Sequence, residues 1–133
     1  MNYLSLWAPV VLLMTGIFIA SAIPDIKGLP GGVSDKTGHV WAYAALGAAM
    51  LRALAGGVLM PATPVRSTAA VLAATAYGIA LELYQRFVPG RSADLLDVVA
   101  DTIGAVVGVA LLVVLRLVLV RRRENGRRGA ATH

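Results

Sequence analysis

Cysteine is absent from this chain of 133 residues. That excludes disulfides, thiolate catalysis and the zinc or iron–sulfur sites built on cysteine. Charge is nearly as scarce. Only 14% of residues are Asp, Glu, Lys or Arg, against 58% hydrophobic, with a mean hydropathy of +0.75. A soluble domain of this length could not bury so many apolar side chains and would expose large sticky patches. Histidine occurs twice and HExxH not at all, so a single bundle histidine, His39, gives little basis for zinc. No metal and no cofactor is expected.

What is present is apolar sequence in long blocks. Four runs, at about 4–23, 36–60, 67–88 and 93–120, are each long enough to cross about 30 Å of hydrocarbon as a helix. Pro24 and the Gly/Pro-containing stretch to Gly32 end the first run. Pro61 and Pro64 follow the second, and Pro89-Gly90 stops the third. The expected fold is therefore all-α: an integral-membrane, four-helix transmembrane bundle formed by one domain over 1–120, with a basic tail over 121–133. The segment 24–35 is open to two readings, an outer loop or a re-entrant segment. The first run has a small-x-small pattern at Ala20-Ser21-Ala22, but no Lys or Arg precedes it, so it reads as a retained span.

The formal charge of +5 does not point to nucleic acid, because Arg121, Arg122, Arg123, Arg127 and Arg128 carry it. Under the positive-inside rule that tail and Arg66 face the cytoplasm. This sets both termini inside a multi-pass inner-membrane protein, with the first and third connections outside. Trp41, Tyr43, Tyr84 and Phe87 are then expected at the outer interface, and Tyr3 and Trp7 at the inner one. The tail from Glu124 onward is expected to have no fold of its own.

Ionisable residues within spans are costly and need a partner or water. Asp94, Asp97 and Asp101 step by three and four, which puts them on one helical face, and Gly104 and Gly108 continue that stripe. The carboxylates are expected to point into the bundle, with the glycines letting a neighbouring helix approach. Asp94 is placed to cap the fourth helix. Asp97 and Asp101 either pair with Arg91, Lys36 or His39, or one of them is protonated. Glu82 reads either as an i,i+4 ion pair with Arg86 or as a member of the polar cluster. His39 and Tyr43 share a face. The candidate ligand-binding set is Asp35, Lys36, His39, Tyr43, Glu82, Gln85, Arg91, Asp94, Asp97 and Asp101.

Ser34-Asp35-Lys36, His39, Tyr43, Tyr77-Gly78, Glu82, Gln85, Pro89-Gly90-Arg91, Asp94, Asp97 and Thr102-x-Gly104-Ala105 together resemble the VanZ-like family, over about 23–108. The resemblance implies a multi-span membrane protein of the bacterial cell envelope. It also implies an association with reduced susceptibility to teicoplanin and related lipoglycopeptides, a form of antibiotic resistance. One departure is visible: Asp101 stands where the family usually carries Asn, adding an acid and removing an amide donor.

Three functions follow from these residues, in this order. The first is a non-enzymatic membrane protein that binds a lipid or cell-wall-precursor head group through the mixed-sign outer cluster. The second is an intramembrane enzyme using Glu82 or Asp97 as base and His39 as acid, with Ser34 and Ser92 as candidate nucleophiles. The third is an oligomer that conducts protons or cations along the acidic stripe. The sequence sets no oligomeric state.

Overall fold

The computed structural model describes residues 2–23, 35–89 and 93–130, with no side-chain description for 35, 129 and 130. These residues form four helices and no strand: α1 (Tyr3–Ala22), α2 (Asp35–Ala55), α3 (Pro64–Gln85) and α4 (Leu95–Ala130). α1, α3 and α4 are each long and apolar enough to cross a membrane. α2 falls short in apolarity rather than length, with seven alanines and two glycines among its 21 residues. Its position explains the difference. α2 makes the most extensive contact with the rest of the bundle, so more of its surface meets protein where the others meet lipid. Small side chains suit that place because they let backbones come close.

The α2–α4 contact is the most extensive, and glycine sets its spacing. A Cβ on Gly47 would lie 2.7 Å from the Ala105 carbonyl oxygen. One on Gly104 or Gly108 would fall onto the carbonyl of Val40 or Ala44 respectively. The acid-above, glycine-below stripe therefore faces α2 as expected. Tyr43, Leu46, Met50, Leu51, Ala105 and Val109 form the core beside this seam, with Leu6 and Val10 of α1 and Ala70 and Ala74 of α3.

The helix limits differ from expectation at several places. α2 ends at Ala55, not near 60, because Gly56 (φ 85°) and Gly57 (φ 140°) turn the chain left-handed. The Gly57 N–H then caps the Arg52 carbonyl at 2.9 Å. α3 starts three residues early, with Pro64 in its first turn and the Thr63 hydroxyl accepting from the Arg66 N–H. α4 runs on through the arginines to Ala130, which corrects the unfolded tail expected there. Arg, Glu and Leu are good helix formers, and adding residues to an existing helix avoids the cost of nucleation. Arginines in the last turn also favour the negative helix terminus.

The helices run alternately, so two ends of opposite character result. One, the acidic end, carries Lys36, His39, Glu82, Asp94, Asp97 and Asp101. The other, the arginine end, carries Arg52, Arg66, Arg116 and the five tail arginines, eight of the twelve basic residues.

α1 packs through Leu6 and Val10, with Trp7, Leu13, Met14 and Ile17 beside them, and further contacts add to this. The Tyr77 hydroxyl donates to the Met14 carbonyl at 2.6 Å, and Phe18 packs on Tyr84 with ring centroids 5.2 Å apart. At the arginine end, the Arg52 guanidinium donates to the carbonyls of Ser5 and Leu6.

Candidate functional site at the acidic end

The first turn of α2 lies against the first two turns of α4, and an ordered polar cluster fills the contact. The Lys36 ammonium donates to Asp94 Oδ2 at 2.9 Å and to Asp97 Oδ1 at 2.8 Å. One turn deeper, His39 Nδ1 lies 2.8 Å from Asp101 Oδ1, and its Nε2 lies 4.0 Å from Asp97 Oδ2. A carboxylate only accepts, so with Asp101 ionised the proton is on Nδ1. The Tyr43 hydroxyl hydrogen-bonds the same Asp101 carboxylate, and its ring lies parallel to His39 with centroids 6.4 Å apart.

Burial grades along this series. Lys36 and Asp94 are half-exposed, the Asp97 side chain is 12% exposed and that of Asp101 1%. The expected i to i+3 to i+7 stepping thus runs from the surface to the centre of the bundle. Gly78 of α3 makes the deepest position possible. A side chain there would run into Asp101 Oδ2 and come within 3.2 Å of the Tyr43 hydroxyl.

Glu82 does not form the ion pair with Arg86. It is buried, and its Oε2 accepts the Asp94 backbone N–H at 2.8 Å. The Asp94 Oδ1 in turn accepts the Leu96 N–H at 2.8 Å, the expected N-cap. Two carboxylates therefore satisfy N–H groups where the helix dipole of α4 is positive. The hydrogen bond from Lys36 holds the Asp94 carboxyl below its ordinary 3.8.

Of the ten sequence-derived candidates, Lys36, His39, Tyr43, Asp94, Asp97 and Asp101 form one connected network, and Glu82 joins it through the Asp94 backbone. Gln85 is buried one turn beyond Glu82. The side chains of Asp35, Arg91, Ser34 and Ser92 lie outside the described residues, as does segment 24–34. Tyr43 needs a correction: it is 1% exposed and belongs to the core, not to an interfacial belt. Its hydroxyl is drawn inward by Asp101. Trp41, Phe87 and Tyr3 are largely exposed, as a belt requires.

The candidate set leaves out three residues at this site, Gly78, Thr75 and Thr102. Gly78 carried no signal beyond its place in the Tyr-Gly pair. The Thr75 hydroxyl donates to Thr102, whose own hydroxyl back-bonds to the Val98 carbonyl; threonines in apolar runs are the usual interhelical glue. Among the described residues no three His, Asp or Glu side chains converge to hold a metal ion. The Lys36 ammonium stands between Asp94 and Asp97, where a cation would go.

A multi-span helical membrane protein with a half-buried acid–histidine–lysine network at one end is thus defined by the fold. The chain belongs to the VanZ/LLP1 family, whose sequence profile matches residues 6–116. That stretch takes in most of α1, all of α2 and α3 and most of α4, with every described member of the network. No curated protein and no solved structure matches the chain.

Proposed function

We propose that this protein is a non-enzymatic, multi-pass protein of the bacterial inner membrane that binds a lipid or cell-wall-precursor head group at its acidic end, with lipoglycopeptide (teicoplanin) resistance as the associated phenotype. The observation that carries this is the Lys36 clamp. A half-exposed ammonium is held by two carboxylates directly above a buried His39–Asp101 pair. A zwitterionic head group offers both the anion to meet Lys36 and the cation to meet Asp94, and a phosphorylated one offers the anion. Membership in the VanZ/LLP1 family supports the envelope setting. Eight arginines at the opposite end support cytoplasmic termini and an outward-facing site.

The network ends at Tyr43, below which Leu46, Leu51, Ala105 and Val109 close the core. A dead-ended polar path favours binding over conduction. The enzymatic alternative has one specific support, the His39 Nδ1–Asp101 contact, which is how a carboxylate orients a general base. Glu82 is less suited to act as the base, since its carboxylate accepts the α4 N-terminus.

The test is lipoglycopeptide susceptibility of a glycopeptide-susceptible bacterium expressing the chain, with Lys36→Gln, Glu82→Gln and Asp97→Asn at matched membrane abundance. Protection by the parent and loss in Lys36→Gln and Asp97→Asn is the expected result. Protection unchanged in both would make the cluster a folding device. Turnover of a lipid-linked precursor by the parent, abolished in His39→Gln, would favour the enzyme.

A further inference from the structure

His39 of α2 stands between two carboxylates of α4 that lie one helical turn apart. Its Nδ1 meets Asp101 Oδ1 at 2.8 Å, whereas its Nε2 stays 4.0 Å from Asp97 Oδ2. One contact is closed, and the other is open by about 1 Å against the ordinary hydrogen-bond length. The tautomer accounts for the difference. With the proton on Nδ1, the Nε2 lone pair and the Asp97 oxygen are both acceptors and keep apart.

The same Asp97 carboxylate serves Lys36 through its other oxygen, Oδ1, at 2.8 Å. Asp97 is thus shared between a cation near the surface and an imidazole below it that can become one. Imidazole is the side chain whose ordinary titration falls between about pH 5 and pH 8. A second proton on His39 turns Nε2 into a donor aimed at Asp97, and a charge-assisted hydrogen bond to a carboxylate closes to ~2.7–2.9 Å. The new charge also repels the Lys36 ammonium. Both effects loosen the inner hold on Lys36, which is half-exposed and then keeps only the half-exposed Asp94.

The groups that face the ring are few. Lys36 and Tyr43 do so from its own helix, Asp94, Asp97 and Asp101 from α4, and Glu82 from α3. α1 brings no titratable side chain to this end, since its one such residue, Tyr3, lies at the other.

We propose that a proton on His39 releases Lys36 to an anionic, phosphate-bearing lipid head group. The acidic end then binds such lipids at mildly acidic pH and gives them up as pH rises. This rests on the head-group reading above and adds its control. Uptake of one proton with each anion changes the affinity by at most about tenfold per pH unit.

The test is calorimetric titration of the full chain in neutral detergent with dihexanoyl phosphatidylglycerol, at about pH 5.5 and about pH 8.5. The phosphodiester of that lipid keeps its charge throughout. The parent is expected to bind at least ~10-fold more tightly at the lower pH. His39→Gln, which keeps an N–H for Asp101 and cannot titrate, loses that difference, and Lys36→Gln loses the gain at low pH. A phosphate-free diacylglycerol of the same chain length shows no such difference. In the ligand-free parent, the Asp97 carboxyl carbon shift moves with the same midpoint as the His39 ring nitrogens. Equal affinity at the two pH values, the same difference in His39→Gln, or an Asp97 signal indifferent to His39 would each overturn the switch and leave the head-group reading standing. No binding at either pH, or equal behaviour of the phosphate-free lipid, would overturn both.

Discussion

The Arg52 guanidinium of α2 donates from both Nη atoms, at 3.2 Å, to the Ser5 carbonyl of α1, the oxygen left without an intrahelical donor because residue i+4 is Pro9. Proline inside a helix removes one N–H, and in a bilayer no water replaces it. A neighbouring helix supplies the donor here, so a charged residue in one apolar run and a helix breaker in another resolve each other. The contact also pins the start of α1 to the end of α2.

Removing one partner should therefore be worse than removing both. Arg52→Leu is expected to cost about 1–3 kcal/mol of bundle stability by leaving the Ser5 oxygen unpaired. Adding Pro9→Ala, which restores the backbone N–H, should recover much of that loss. Thermal unfolding of the four-variant cycle in detergent measures the coupling; strictly additive effects would show that Arg52 does not serve the Pro9 gap.

At the α2–α4 seam, Gly108→Val would drive a side chain into the Ala44 backbone. Neither helix can yield without opening the core around Leu46 and Val109. A loss of about 1–3 kcal/mol or more is expected. Gly126→Val, in open surroundings on the same helix, should be nearly silent. Comparable melting points for the two variants would rule out close packing as the role of the stripe.

Asp101 is the most buried acid among the described residues, and its neighbours His39, Tyr43 and Gly78 are shaped to it. Asp101→Leu should destabilise by about 3–5 kcal/mol, since it leaves a histidine and a tyrosine hydroxyl without their acceptor. Asp101→Asn keeps the shape and one acceptor, so its cost should be well under half of that. The two melting curves decide whether the acid is needed for charge or for form.

Asp94 offers a pH test outside the spans. Its carboxyl titrates below the ordinary 3.8 because Lys36 hydrogen-bonds the charged form. The stabilising contribution is thus complete above pH 3.8 and is lost only as pH falls through the lowered value. Carbon-13 carboxyl shifts should show that depressed midpoint, with Lys36→Gln moving it back up. An unchanged midpoint in Lys36→Gln would mean that the bridge does not form in the bilayer.

The sequence by itself determined the class of fold and the membership of most of the site. Apolar runs longer than a bilayer is thick admit only helices, since every backbone polar group must be satisfied within the span. The three-and-four spacing of Asp94, Asp97 and Asp101 likewise dictates a shared face, because that follows from helical pitch alone. Which partner each acid takes was decided by tertiary structure. Lys36 and His39 lie about sixty residues from their carboxylates, and Glu82 could reach either Arg86 on its own helix or the start of α4. Local geometry permits both, and burial selects the partner that also satisfies a backbone N–H. The inward turn of Tyr43, the room left by Gly78 and the pairing of Arg52 with the Pro9 gap are also consequences of how the helices meet, and spacing along one chain segment does not encode them.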